Sequence, residues 1–254
     1  MNGQTAILSL QEVRKNFGGV TAVDDLTMQV FPGQVCGLIG PNGAGKTTVF
    51  NLITGVYRCQ RGSIFFGDAE ITSAKPYRIT RLGVARTFQT IRLFPSFSTF
   101  EHVRVAQTCL SASGKKEGLV GGRSFRARLQ EEAAGLLSLL GLWEARNLKA
   151  ATLPYGSQRK VEIARALATR PRLLLLDEPV AGMNARETEE LLVIISKIRE
   201  MGITILLIDH DMKFVMGLCD RLWVLNFGRK IAEGTPQEIQ RNESVLEAYL
   251  GREE

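Results

Sequence analysis

Gly40-Pro41-Asn42-Gly43-Ala44-Gly45-Lys46-Thr47-Thr48 is the stretch whose reading decides the fold. Its spacing, two glycines five apart followed by Lys and Thr, suits a loop that wraps backbone N–H groups around the β- and γ-phosphates of a nucleotide. Glycine keeps side chains out of the way, so the main chain can approach the oxyanions. Lys46 would set a compact cation beside those phosphates, and the Thr47 hydroxyl would be a Mg2+ ligand. Just upstream, Val35-Cys36-Gly37-Leu38-Ile39 reads as a buried strand; downstream, Thr48 to Ile53 reads as the opening of a helix. Such a helix points its positive N-terminal end at the phosphates. A Gly-rich surface turn would need neither neighbour. The stretch predicts binding of a nucleoside triphosphate.

The bulk numbers set the frame. A chain of 254 residues, 44% hydrophobic and 23% charged, can bury one sizeable core with a smaller satellite. No run approaches the roughly 18 apolar residues of a membrane span, and the N-terminus lacks a charged-then-apolar signal pattern. The sequence therefore predicts a soluble chain that stays in the cytosol. Cys36, Cys59, Cys109 and Cys219 are scattered without a paired spacing, which argues against zinc or a disulfide framework. They read as small buried apolar residues. The net charge of +6 is moderate. Basic residues gather at Arg78, Arg81, Arg86 and Arg92, and again at Lys115, Lys116, Arg123, Arg126 and Arg128. Nucleic acid or an anionic membrane surface would suit them, and a solvated helical face suits them equally.

Along the chain, the first forty residues alternate like strands, with a break at Phe17-Gly18-Gly19 and a turn at Pro32-Gly33. Gly62 to Asp68 reads as a strand and tight turn, and Val84 to Phe88 as a strand ending in Gln89. Then the texture changes. Ser98-Thr99-Phe100-Glu101 is a capping box opening a helix, Gly114 to Gly122 reads as a polar loop, and Leu129 to Leu140 fall at helical spacing with Gly141 as a stop. The α/β texture returns with Leu173–Leu176 running into Asp177-Glu178, a helix capped at Asn184, and Ile203–Ile208 running into Asp209-His210-Asp211. Continuous apolar strands alternating with amphipathic helices predict a parallel sheet covered on both faces.

Downstream of a phosphate loop, the acidic pair acquires chemistry. A buried strand delivers Asp177 to hold Mg2+ through water and leaves Glu178 to polarise the attacking water. With these residues quoted, the chain resembles the ATP-binding-cassette (ABC) ATPases. Gln89 after a strand, Leu153-Pro154-Tyr155-Gly156-Ser157-Gln158-Arg159 before a helix, Asp177-Glu178-Pro179, and His210 stand in that family's order. Within it, Phe17 to Val23, Arg86-Thr87-Phe88-Gln89 with Arg92-Leu93-Phe94, Glu162 to Arg165, Glu178 to Asn184, Asp209 to Met212 and the Gly234–Gly251 tail resemble the larger ATPase subunit of branched-chain amino-acid importers.

The resemblance implies a phosphate-loop α/β core over 1–89 and 156–254, with an N-terminal antiparallel β subdomain, and an inserted helical subdomain over 90–155 that touches membrane subunits near Phe94-Pro95 and Glu101. It implies ATP and Mg2+ as ligands, with ATP held by Phe17 against adenine and by Gly40, Pro41, Asn42, Gly43, Ala44, Gly45, Lys46, Thr47 and Thr48. It gives Thr47, Gln89 and Asp177 to the metal, and Glu178, His210 and Gln89 to catalysis. Tyr155, Gly156 and Ser157 would serve the nucleotide of a second ATPase subunit in a head-to-tail dimer. His102 receives no role. The implied partners are that subunit, transmembrane permeases and, indirectly, a periplasmic or extracellular solute-binding protein, with no nucleic acid. The place implied is the cytoplasmic side of the plasma (inner) membrane.

Two departures stand out. Pro154 replaces a serine and Ser157 a glutamine of the family's segment, which removes one donor to the partner's phosphate while leaving the helix start intact. Asn184 stands where many relatives carry aspartate. A lipid or lipopolysaccharide export ATPase is the alternative within transport, and the Arg86–Phe94 segment favours the importer. A DNA-repair ATPase would carry a long coiled coil or zinc module between Thr48 and Leu153, and the sequence has neither.

Overall fold

The computed structural model describes residues 5–111 and 123–250. The chain opens with a hairpin of β1 (Leu8–Phe17) and β2 (Val20–Val30), turning at Gly18-Gly19. After the Pro32-Gly33 turn come β3 (Val35–Ile39) and α1 (Lys46–Ile53), which begins two residues earlier than Thr48. β4 (Arg61–Phe66) and the short β5 (Ala69–Glu70) join β1 and β2 in an antiparallel sheet ordered β2-β1-β4-β5. Then follow α2 (Pro76–Leu82) and β6 (Val84–Arg86).

β6 is shorter than the sequence suggests. Thr87 still donates to Leu175 O, but the carbonyls of Phe88 and Gln89 accept from the Arg159 guanidinium, so the ladder ends there. The helices α3 (Thr99–Ser111), α4 (Arg123–Leu139) and α5 (Tyr155–Leu167) follow. The Ser98–Glu101 capping box forms as expected, with Ser98 N–H donating to Glu101 and Glu101 N–H to Ser98 Oγ. The expected Gly114–Gly122 loop, with Lys115 and Lys116, lies outside the described residues, as does Gly251.

β7 (Leu173–Asp177), α6 (Ala185–Glu200), β8 (Thr204–Ile208), α7 (Met212–Leu218), β9 (Arg221–Asn226), β10 (Arg229–Gly234), α8 (Pro236–Gln240) and α9 (Glu243–Leu250) complete the order. The second sheet runs β10-β9-β3-β8-β7-β6, parallel except for the antiparallel edge strand β10. β3, β7 and β8 are buried throughout, so each must find cover on two sides.

The pleat sorts their side chains into two cores. Leu174, Leu176, Ile205 and Leu207 face a core built with Val103, Ala133, Leu137, Val161 and Ile195 of the helices. Leu173, Leu175, Leu206 and Ile208 face one built with Leu8, Leu10, Leu26 and Phe50, from the antiparallel sheet and α1. This α/β architecture is the one the sequence predicts. Cys36 and Cys219 are buried, and burial pushes both thiols up, Cys36 to about 12. Cys59 departs from expectation in being only half-buried, while the Cys109 side chain lies outside the described residues.

α6 is held at its start by a reciprocal cap. Asn184 Oδ1 accepts from Glu187 N–H, and Glu187 Oε2 accepts from Asn184 N–H, both at 3.0 Å. Asn184→Ala should therefore lower the unfolding free energy by about 0.5–2 kcal/mol, read as a shifted urea midpoint with unchanged slope.

Candidate functional site

Strands that run parallel end together, and loops that leave their carboxyl ends meet at one edge of the sheet. Here the glycine-rich loop follows β3, Glu178 follows β7, Asp209-His210 follows β8 and Gln89 lies just past β6. Between them is a cavity of about 300 Å3, lined by Ala22, the run from Asn42 to Thr48, Gln89 and Glu178. Gly40 and Pro41 do not line it but shape the loop from behind, their carbonyls accepting from Lys46 Nζ at 2.6 and 2.9 Å.

The loop's path admits no side chain at two points. Gly40 (φ 145°) and Gly45 (φ 102°) both lie in the left-handed region, and a Cβ would strike Leu225 O at the first and Ala22 O at the second. Gly228 N–H donates to Ala44 O at 3.0 Å, so β9, the turn that follows it and β2 all brace the loop. Lys46 is half-buried. Burial lowers its pKa, and the carboxylates of Glu178 and Asp177 pull it back up.

Glu178 has φ 48°, a rare backbone for a non-glycine residue. Its N–H donates to Ile208 O at 2.8 Å, which fixes this turn against β8. Gln89 Nε2 donates to Glu178 Oε2 at 2.9 Å. His210 is 70% exposed, and its Nδ1 stands 4.0 Å from the same Oε2, beyond hydrogen-bond range. Asp209 is buried under this turn, accepting from Asp211 N–H and Val180 N–H, and burial raises its pKa.

Asp177 lies outside the cavity lining. It is buried against Arg86, Oδ2 to Nη2 at 2.7 Å, and Arg86 also donates to Asn51 Oδ1 at 2.7 Å. The rings of Phe50 and Phe88 sit 5.4 and 5.1 Å from the guanidinium. The solvated-face reading of Arg86 is thus corrected. Its charge is taken by a carboxylate brought from 91 residues away, which no local pattern could reveal.

The other expected positions lie apart from the cavity. Phe17 is 43% exposed and packs edge-on against Tyr57, with centroids 5.0 Å apart and Lys15 Nζ 4.9 Å from its ring. Tyr155, Gly156 and Ser157 open α5. Pro154 is its N-cap and makes no side-chain cap bond, and the helix persists regardless. His102 is buried: its Nδ1 meets Ser98 O, and its Nε2 accepts from Phe94 N–H.

The lining fits a triphosphate, with backbone N–H groups of the loop other than that of Ala44, which donates to Pro41 O, together with one ammonium and the Thr47 hydroxyl. It fits Mg2+ as well. Thr47 and Gln89 both line the cavity and offer hard oxygen donors. Mg2+ favours such open sites, shared with phosphates.

The family described as ABC transporter matches residues 23–181. The chain belongs to that family. A second family, described as branched-chain amino acid ATP-binding cassette transporter, matches residues 229–254. The high-affinity branched-chain amino acid transport ATP-binding protein LivG of Escherichia coli K12 is 45% identical over 250 residues, spanning 96% of this chain and 98% of that protein. BraF of Pseudomonas aeruginosa, of the same description, is 45% identical over 249 residues with the same coverage. The ADP conformation of MJ1267, an ATP-binding cassette of an ABC transporter, has a TM-score of 0.85 at 31% identity and covers 97% of this chain and 99% of its own.

As an ABC transporter ATPase subunit the chain binds and hydrolyses ATP. Among its described residues no helix is long and apolar enough to cross a membrane. Removing one partner of a buried pair costs about 3–5 kcal/mol. Arg86→Met should therefore destabilise this ABC protein by that order in urea unfolding, with Arg86→Lys less harmful.

Proposed function

We propose that this chain is the energy-coupling subunit of an importer for branched-chain or related amino acids. The observation that carries the ATPase chemistry is the Gln89–Glu178 hydrogen bond in the lining of the phosphate cavity. The solute class is supported by LivG and BraF along nearly the whole chain and by the tail family over 229–254.

In this reading the N–H groups of Asn42–Thr48 and the Lys46 ammonium hold the β- and γ-phosphates, and Phe17 meets the adenine. Thr47 and Gln89, with Asp177 through water, would hold Mg2+, which when bound would offset charge on the γ-phosphoryl group during its transfer to water. Gln89 fixes one oxygen of the Glu178 carboxylate; the other takes a proton from the attacking water. His210 closes on the γ-phosphate from the exposed side.

Tyr155, Gly156 and Ser157 contribute to the nucleotide held by a second ATPase subunit. Permease subunits dock on the helical block over 90–155, and an external binding protein delivers solute. The subunit sits on the cytoplasmic side of the membrane. Because Pro154 offers neither hydroxyl nor N–H, the composite site that uses this segment is the weaker one, and the second ATPase is a different chain.

Glu178→Gln should keep ATP binding while lowering phosphate release by the purified complex about 10²–10⁴-fold. Hydrolysis near the wild-type rate would remove Glu178 from the role. Pro154→Ser in the assembled transporter should tighten ATP at the partner's site about 5- to 10-fold, the worth of one added hydrogen bond. Unchanged affinity and turnover there would count against the asymmetric pairing.

A further inference from the structure

One face of α5 carries charges sealed from water. Arg159 is fully buried and Glu162 almost so, with Arg159 Nη1 donating to Glu162 Oε2 at 3.0 Å. Most of the remaining bonds of the cluster leave the helix. Arg159 Nη1 also donates to Phe88 O, and Nη2 donates to Gln89 O at 2.7 Å. Glu162 Oε1 accepts from Arg92 N–H at 2.8 Å, and Arg165 Nη1 donates to Arg92 O. At the helix start, Arg159 Nη2 lies 3.3 Å from the Tyr155 hydroxyl.

These contacts have a common character. They grip the main chain of Phe88, Gln89 and Arg92, so they fix the path of that segment whatever its side chains do. A buried ion pair is a poor source of stability, because apolar residues of similar volume often serve as well. A planar guanidinium, however, presents its donors in a rigid fork that fixes the direction of two successive carbonyls, whereas an apolar group offers no donor and the donors of a lysine rotate. The cluster is therefore better suited to registering two segments than to stabilising either.

We propose that Arg159, locked by Glu162, is a positioning residue that makes α5 and the 88–92 segment one rigid piece. This rests on the functional reading above, in which Gln89 serves this chain's own nucleotide and Tyr155–Ser157 serve the partner's. A displacement of the helix start on engaging the partner's phosphate then reaches the backbone of Gln89 directly. It moves the amide that holds Glu178, instead of dissipating in a loop. The two composite sites become coupled through a single guanidinium.

The test compares wild type with Arg159→Met/Glu162→Met, which removes both charges at similar volume and leaves Arg165, whose side chain is partly exposed, as the remaining charge of the cluster, and with Arg159→Lys. In the free chain, ATP affinity should stay within about twofold, since the phosphate loop is untouched. Amide exchange over residues 88–92 should accelerate about tenfold or more, the loss of one charged hydrogen bond. In the complex with its membrane subunits, kcat should fall about 10- to 100-fold, as expected for a displaced catalytic contact. The Hill coefficient for ATP should fall toward 1 if the wild-type value exceeds it, and Arg159→Lys should restore little of the lost kcat.

Exchange and kcat both within about twofold of wild type in the double variant would overturn the proposal. So would ATP affinity falling in step with kcat, because the cluster would then merely maintain the fold. If the wild-type complex did not hydrolyse ATP at all, the functional reading would fail on its own. The exchange comparison in the free chain would still decide whether the cluster binds the two segments together.

Discussion

Two backbone oxygens, of Leu225 and Ala22, press on the phosphate loop so closely that Gly40 and Gly45 have no room for a Cβ. This packing of main chain on main chain joins the loop to β9 on one side and to β2 of the antiparallel sheet on the other. It sets where the N–H groups of Asn42–Thr48 point, and hence where a phosphate can lie. The rest of the site is placed relative to it. The loops after β6 and β7 reach the same cavity, and His210 after β8 comes within 4.0 Å of Glu178, because the parallel register holds those strand ends level with the end of β3. The antiparallel sheet is therefore part of the nucleotide site's architecture, although Ala22 is its single contribution to the lining.

Much of this was legible in sequence because it is local. The glycine spacing, the all-apolar runs of β3, β7 and β8, and the caps at Ser98 and Asn184 each need only a few consecutive residues to be recognised. The hairpin of β9 and β10 was harder to see. Its turn is Phe227-Gly228, with φ of 44° and 80°, in a place where Asn-Gly or Asp-Gly would have announced a two-residue turn. A phenylalanine there, 85% exposed, disguises it. Least legible were pairings across the fold. Arg86 meets Asp177, and Arg159 meets the carbonyls of Phe88 and Gln89, over sequence separations that carry no pattern.

Those two arginines solve related problems differently. Arg86 sits beneath the site and neutralises a carboxylate that the strand β7 delivers to an apolar neighbourhood, between Phe50 and Phe88. Arg159 neutralises Glu162 on its own helix, and its two terminal nitrogens also donate to carbonyls left unpaired where β6 stops. Between them runs the short segment from Thr87 to Gln89. Its two ends are thus held by separate buried charges, one anchored in the sheet and one in the helical layer. The side chain of Gln89 projects from the junction toward Glu178.

The left-handed backbone of Glu178 reaches beyond the geometry of one carboxylate. A residue branched at Cβ would crowd its own carbonyl at φ 48°, whereas an unbranched one tolerates it at modest expense. The position thus screens its occupants before any chemistry is considered. Threonine, valine and isoleucine are barred by conformation, and glycine would be at ease but inert. Among side chains that can accept a proton, the unbranched aspartate, glutamate and histidine remain, so the shape of one turn narrows the alphabet from which a base at this place can be drawn.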